Sequence, residues 1–212
     1  MSGLKEFLYD WSGLNLWLFR QINSINGHYY DLLMQKITLL GDKHLLPYYV
    51  GIIMSYAGLN LLYRILAKKA GKSHYLQMWI GIFLVMGTGL FASQITVSKT
   101  KEHFSYQRPY AVLPQSEVRQ LEGQEAKEAD RSFPSGHVAI ITALIVALWP
   151  ALGGKAYFLG VTTIFAVMWS RIALGVHFPA DVLFSFLIIC FEIIIIRYVI
   201  YEILRKMFGI RM

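Results

Sequence analysis

Cysteine is almost absent from this chain: Cys190 stands alone. One thiol can form neither an intramolecular disulfide nor a thiolate metal site, and within an apolar run it reads as an inert buried group. Charge is scarce as well. Lys, Arg, Asp and Glu supply 16% of the 212 residues, against 56% apolar and 15% aromatic. With a mean hydropathy of +0.46, that shortage excludes an ordinary soluble domain and points to a single membrane domain. No internal repeat or low-complexity segment is present, the nearest being EGQEAKEADR (122–131), read as a solvated part of a loop. The N-terminus lacks the clean apolar core and small-residue cleavage site of a secretory signal.

Acids are missing from particular places, and their absence carries topology. RILAKKAGK (64–72), Lys155 and the tail RKMFGIRM (205–212) are basic without any acid, whereas 98–137 mixes Lys and Arg with Glu102, Glu117, Glu122, Glu125, Glu128 and Asp130. A net charge of +7 distributed this way marks membrane orientation and not a nucleic-acid surface, so no nucleic-acid partner is expected. Placing 64–74 in the cytoplasm puts 98–137 and 175–181 outside, and 153–156 and the C-terminus inside.

Apolar runs at 46–66, 78–97, 138–152, 157–174 and 182–203 approach the ~20 residues that cross a hydrocarbon core. The expected fold is therefore all-α: a multi-pass transmembrane helix bundle of five spans, or six if the N-terminus adds one. The third run is short and begins in the turn before it. In residues 1–44, Leu14, Trp17, Leu18, Ile22 and Ile25 recur at helical spacing, while Asn15, Arg20, Asn23 and Ser24 interrupt them. An amphipathic interfacial segment is expected there, followed by a membrane-embedded domain over 45–212 with its outer loop at 98–137.

Three stretches carry chemistry. In KEHFSYQRP (101–109), Lys101 and Arg108 are seven apart, which on a helix points both cations the same way. They suit an anion site, or equally lipid headgroups at the interface. In RSFPSGHVAI (131–140), Ser135 and Gly136 open an apolar helix whose first N–H groups can cradle a phosphate, with His137 beside it for proton transfer. An ordinary Ser N-cap is the alternative. In SRIALGVHFPAD (170–181), His177 and Asp181 are four apart, so a carboxylate can hold one ring nitrogen and leave the other nucleophilic. Arg171 reaches the same place from the end of the preceding span. A structural His–Asp pair capping a helix is the alternative here.

The ordered set K, six residues, RP; PSGH; and SR, five residues, H, three residues, D resembles the type 2 phosphatidic acid phosphatase superfamily, lipid phosphate phosphatases sharing a helical core with soluble vanadium haloperoxidases. That resemblance implies His177 as nucleophile through a phosphohistidine, Asp181 as its orienting group, and His137 as acid and then base. Lys101, Arg108 and Arg171 become the phosphate clamp, joined by Ser135 and Gly136. It implies a metal-independent hydrolase with no cofactor and no metal ligands, acting on a lipid phosphate held in the bilayer of the plasma (inner) membrane, its site extracytoplasmic. Five spans and an amphipathic start resemble short bacterial members acting on polyprenyl diphosphates, which favours undecaprenyl diphosphate. Phosphatidylglycerol phosphate, phosphatidic acid and lipid A phosphates present similar groups. A vanadate-dependent oxidant would not need five apolar spans, and a non-enzymatic scaffold or transporter would not need the His177–Asp181 pair beside three cations.

Glu192, in FEIIIIR within the last run, shares a face with positions 181, 185 and 188. It is expected to hydrogen-bond a neighbouring span beneath the site. Arg197 is expected to point elsewhere and snorkel to the cytoplasmic interface.

Overall fold

The computed structural model describes residues 9–120 and 129–208, and these form an all-helical bundle. Most of the acidic stretch EGQEAKEADR lies outside the described residues. Seven helices carry the architecture: α1 (Leu14–Asn23), α2 (His28–Leu39), α3 (Leu46–Leu66), α4 (Lys72–Phe104), α5 (Gly136–Leu148), α6 (Gly154–Ala173) and α7 (Pro179–Phe208). The last five alternate in direction, so the ends of α4 and α6 and the starts of α5 and α7 gather at one end of the bundle. The basic segments around Lys69, Lys155 and Arg205 gather at the other.

By length and composition, four of these helices can cross a membrane: α3, α4, α6 and α7. The fifth expected span is shorter. Helix α5 has 13 residues and is continued only by a 3-10 turn over Trp149–Ala151. It is the most buried element, with Val138, Ala139, Ala143 and Ala147 almost fully enclosed. Its small and β-branched residues let α4 and α7 close around it, and these three helices form the centre of the bundle.

Arg197 departs from the snorkelling expectation. Its Nη2 donates to the carbonyls of Val146 and Ala147, the latter at 3.1 Å. A helix that ends within the bundle leaves its last carbonyls without intrahelical donors, and a guanidinium reaching across from α7 satisfies two of them. Glu192 does reach a neighbouring span: Thr96 Oγ1 on α4 donates to its Oε1 at 2.9 Å.

The N-terminal segment forms two helices of 10 and 12 residues, neither long enough to span. Both pack on α6, and α1 also touches α7. The apolar stripe of 14–25 is divided between the two sides. Leu14, Trp17 and Ile25 face outward, while Asn15, Phe19, Ile22 and Asn23 are buried. The asparagines face inward because each satisfies backbone groups of the loops it covers. Asn23 Nδ2 donates to Ala173 O and Arg119 O, and its Oδ1 accepts from Arg119 N at 2.8 Å. The outward part of the apolar stripe is left for the bilayer.

Candidate functional site

The four chain segments that converge at one end of the bundle bring the candidate residues together. The route differs from the expectation at the first motif. Helix α4 stops at Phe104 because Ser105 turns left-handed (φ 46°), and Arg108 is extended before Pro109. Lys101 and Arg108 therefore do not share a helical face. Arg108 is returned to the site by its own anchors: Nη1 donates to Val176 O at 3.1 Å and Nη2 to Arg131 O at 3.3 Å.

At the second motif, Ser135 occupies the N-cap position of α5 with extended backbone, yet its side chain makes no capping bond. Its Oγ is buried without a partner among the described residues. A serine serving only as a cap would accept from an N–H two or three residues on. The backbone is held instead from α7, with Ser185 Oγ donating to Ser135 O at 2.7 Å and Ser135 N to Asp181 O at 3.3 Å. Gly136 faces open space where a Cβ would project. The helix start thus offers N–H donors and positive partial charge together with room for an oxyanion. His137 follows directly, its backbone covered by the turn at Gly41, where an added Cβ would lie 2.6 Å from His137 O.

At the third motif, His177 and Asp181 are fully enclosed, 2% and 0% exposed. His177 Nδ1 lies 3.3 Å from Asp181 Oδ2. A carboxylate accepts only, so the shared proton sits on Nδ1 and Nε2 keeps its lone pair. Burial, and then the charges of Arg108, Arg171, Lys101 and His137, hold the His177 imidazole well below the ordinary 6.5. The ring is neutral at physiological pH, as a nitrogen nucleophile requires. Arg171, at the end of α6, is buried; one Nη donates to Thr38 Oγ1 at 2.7 Å, and Nε has no partner among the described residues.

The carboxylate of Asp181 is surrounded by donors that motif spacing did not reveal. Ser132 Oγ donates to Oδ2 at 2.5 Å, Phe178 N to Oδ2 at 2.8 Å, and Tyr9 OH to Oδ1 at 3.0 Å. Burial first and the Asp181 charge second raise the Tyr9 phenol well above its usual value, so it remains a donor. Asn15 Oδ1 accepts from Ala180 N at 2.9 Å, capping the start of α7. Ser132 lies inside the RSFPSGHVAI stretch but was not singled out by its spacing. Nothing in the local pattern marks Tyr9, Asn15 or Thr38.

A neutral imidazole oriented by a carboxylate, three cations and a helix N-terminus can bind a phosphoryl group and exchange one of its bonds. Sequence comparison decides the family. The profile of the PAP2 superfamily matches residues 82–205, more than half of the chain. The chain belongs to the PAP2 superfamily. Among curated proteins, an undecaprenyl-diphosphatase of Sulfolobus acidocaldarius is 36% identical over 64 residues, which are 30% of this chain and 31% of that protein. The matched segment thus spans about a third of that relative.

Two solved structures resemble this PAP2 protein throughout. LpxE of Aquifex aeolicus is 25% identical with a TM-score of 0.59, covering 86% of this chain and 94% of its own. A PAP2-type phosphatidylglycerolphosphate phosphatase from Bacillus subtilis is 21% identical with a TM-score of 0.59, covering 94% and 89%, and shares the fold. This PAP2 protein is accordingly a membrane protein of a lipid-phosphatase family.

Proposed function

We propose that the chain removes a phosphoryl group from a membrane lipid through a phosphohistidine, with a polyprenyl diphosphate as substrate and undecaprenyl diphosphate as the best candidate. The observation that carries the proposal is His177, neutral, enclosed and held by Asp181, beside Lys101, Arg108, Arg171 and the uncapped start of α5. Nε2 of His177 attacks the terminal phosphorus while the bond from phosphorus to the bridging oxygen breaks. His137, protonated against the bound phosphate anion, gives its proton to that oxygen, releasing undecaprenyl phosphate. Water then attacks the phosphohistidine as His137 takes its proton, and inorganic phosphate leaves. The cations, Ser135 Oγ and the Gly136 N–H neutralise the equatorial oxygens, so this set of side chains needs no metal.

An apolar groove of about 380 Å³ between α3, α5 and α6 supports a lipid tail. Its wall includes Leu40, next to the turn covering His137, and Ile141, one turn beyond it on α5. The name of the S. acidocaldarius relative favours a polyprenyl diphosphate over phosphatidylglycerol phosphate, phosphatidic acid or a lipid A phosphate. Charge placement along the chain favours a site on the extracytoplasmic face of the plasma membrane and a cytoplasmic C-terminus.

Phosphate release from a panel of these lipids in detergent, with and without chelator, tests substrate and metal independence together. Undecaprenyl diphosphate is expected to be cleaved fastest and chelator to change nothing. His177→Ala should abolish both turnover and trapped phosphoenzyme. Equal labelling of wild type and His177→Ala would overturn the nucleophile assignment.

A further inference from the structure

Four contacts reach the candidate site from chain that precedes the family match at residues 82–205. Tyr9 donates to Asp181, Asn15 accepts from the start of α7, Thr38 accepts from Arg171, and the turn at Gly41 lies against His137. Each touches a different part of the machinery. Of the four, Tyr9 acts most directly on the pair that would perform the attack.

The asymmetry of the carboxylate shows what Tyr9 does. Three groups converge on Oδ2 of Asp181: Ser132 Oγ, Phe178 N and His177 Nδ1. Oδ1 receives Tyr9 OH. A carboxylate turns readily about its Cβ–Cγ bond, and the His177 contact, at 3.3 Å, is the longest of the four. A donor on Oδ1 fixes the plane of the group and hence the direction in which Oδ2 faces the imidazole. The phenol is itself fixed. Its ring packs on Tyr106, Phe133 and Phe178 at centroid distances of 4.6, 6.3 and 5.8 Å, so the hydroxyl has little freedom to leave.

We infer that Tyr9 is a positioning residue of the active site: its hydroxyl locks the Asp181 carboxylate so that His177 is held in the tautomer and orientation needed for attack on phosphorus. The N-terminal segment is then a working part of the catalytic site as well as a membrane-surface element. This rests on the phosphohistidine reading for its kinetic consequence, and on the hydrogen-bond geometry alone for its effect on His177.

Tyr9→Phe in the full-length protein removes the hydroxyl and keeps the ring, so the fold is kept and the thermal midpoint should drop by no more than one hydrogen bond supports. With undecaprenyl diphosphate, kcat should fall about tenfold, the loss expected for one hydrogen bond to a charged group, with KM and inhibition by inorganic phosphate unchanged. In an Asp181→Asn background the same substitution should cost nothing further, since the carboxylate it positions is gone. A role confined to ring packing, which Tyr9→Phe preserves, would leave kcat and the His177 signal unchanged. Independently of turnover, 15N NMR of labelled histidine in detergent should show a smaller Nδ1–H population for His177 in Tyr9→Phe than in wild type. Unchanged kcat, or an unchanged His177 signal, would overturn the inference. A wild-type protein that cleaves no lipid phosphate would refute the functional proposal instead, and the NMR comparison would still decide the role of Tyr9.

Discussion

Arg197→Met should destabilise the bundle measurably. The guanidinium donates to Val146 O and Ala147 O at the end of α5, in the interior of the bundle where water is scarce. Methionine keeps much of the side-chain volume but leaves both carbonyls without that donor. A hydrogen bond from a charged group contributes about 1.5–3 kcal/mol. A cation at a partly buried helix C-terminus adds up to ~2 kcal/mol through the macrodipole. The two descriptions overlap, so ~2–4 kcal/mol is the expected loss. At about 2–4 °C per kcal/mol for a chain of this size, the thermal midpoint should drop by ~4–16 °C. Differential scanning fluorimetry of the detergent-solubilised protein would measure it. Arg197→Lys keeps the charge without the planar fork and should recover about half of the loss. A midpoint for Arg197→Met within ~1 °C of wild type would refute the capping role, because the smallest estimate above exceeds that change.

Three further outcomes are expected. In a Cys190→Ser background, a cysteine at the exposed Ser116 should react with an impermeant thiol reagent in intact cells while one at Lys69 should not, and the opposite labelling would reverse the orientation of the bundle. Glu192→Gln should retain most activity, since an amide oxygen still accepts from Thr96, whereas Glu192→Leu should lose ~1 kcal/mol of stability; a stable but inactive Glu192→Gln would require a functional carboxylate. Gly41→Ala should cut turnover at least tenfold by lifting its turn from His137, because the new methyl would meet backbone atoms of His137 that cannot move aside; wild-type activity would show that this contact does not position the ring.

Short-range features were legible in the chain and long-range ones were not. His177 and Asp181 are four apart, so one helix start brings them together, and the structure places them in contact. Arg171 at the end of α6, and Ser135 and Gly136 at the start of α5, likewise follow from where apolar runs begin and end. The orientation of Arg108 did not follow, because a left-handed serine at 105 breaks the helical phase on which the seven-residue spacing relied. Tyr9, Asn15 and Thr38 lie 172, 165 and 133 positions from their partners, and no periodicity encodes a hydrogen bond between elements that only tertiary packing brings together. The inward direction of the α1 asparagines was not legible for a related reason. In a bilayer the apolar stripe of a short helix has two places to go, and the polar face was needed to satisfy backbone inside. Arg197 was misjudged because the end of α5 creates a demand for donors that is visible only once its length is known.

That length has a thermodynamic consequence. Thirteen residues rise about 20 Å, well short of a ~30 Å hydrocarbon core. The two polar ends of α5 are therefore treated unequally: Arg197 satisfies one, and among the described residues no side chain caps the other. An oxyanion seated at Gly136 would complete the helix in the same way that a capping residue does elsewhere. Binding and folding are then linked, and inorganic phosphate or vanadate should act as a stabilising ligand, raising the unfolding free energy by RT ln(1 + [L]/Kd). Concentrations a hundredfold above Kd would be worth ~2.7 kcal/mol, comparable to the Arg197 cap at the opposite terminus.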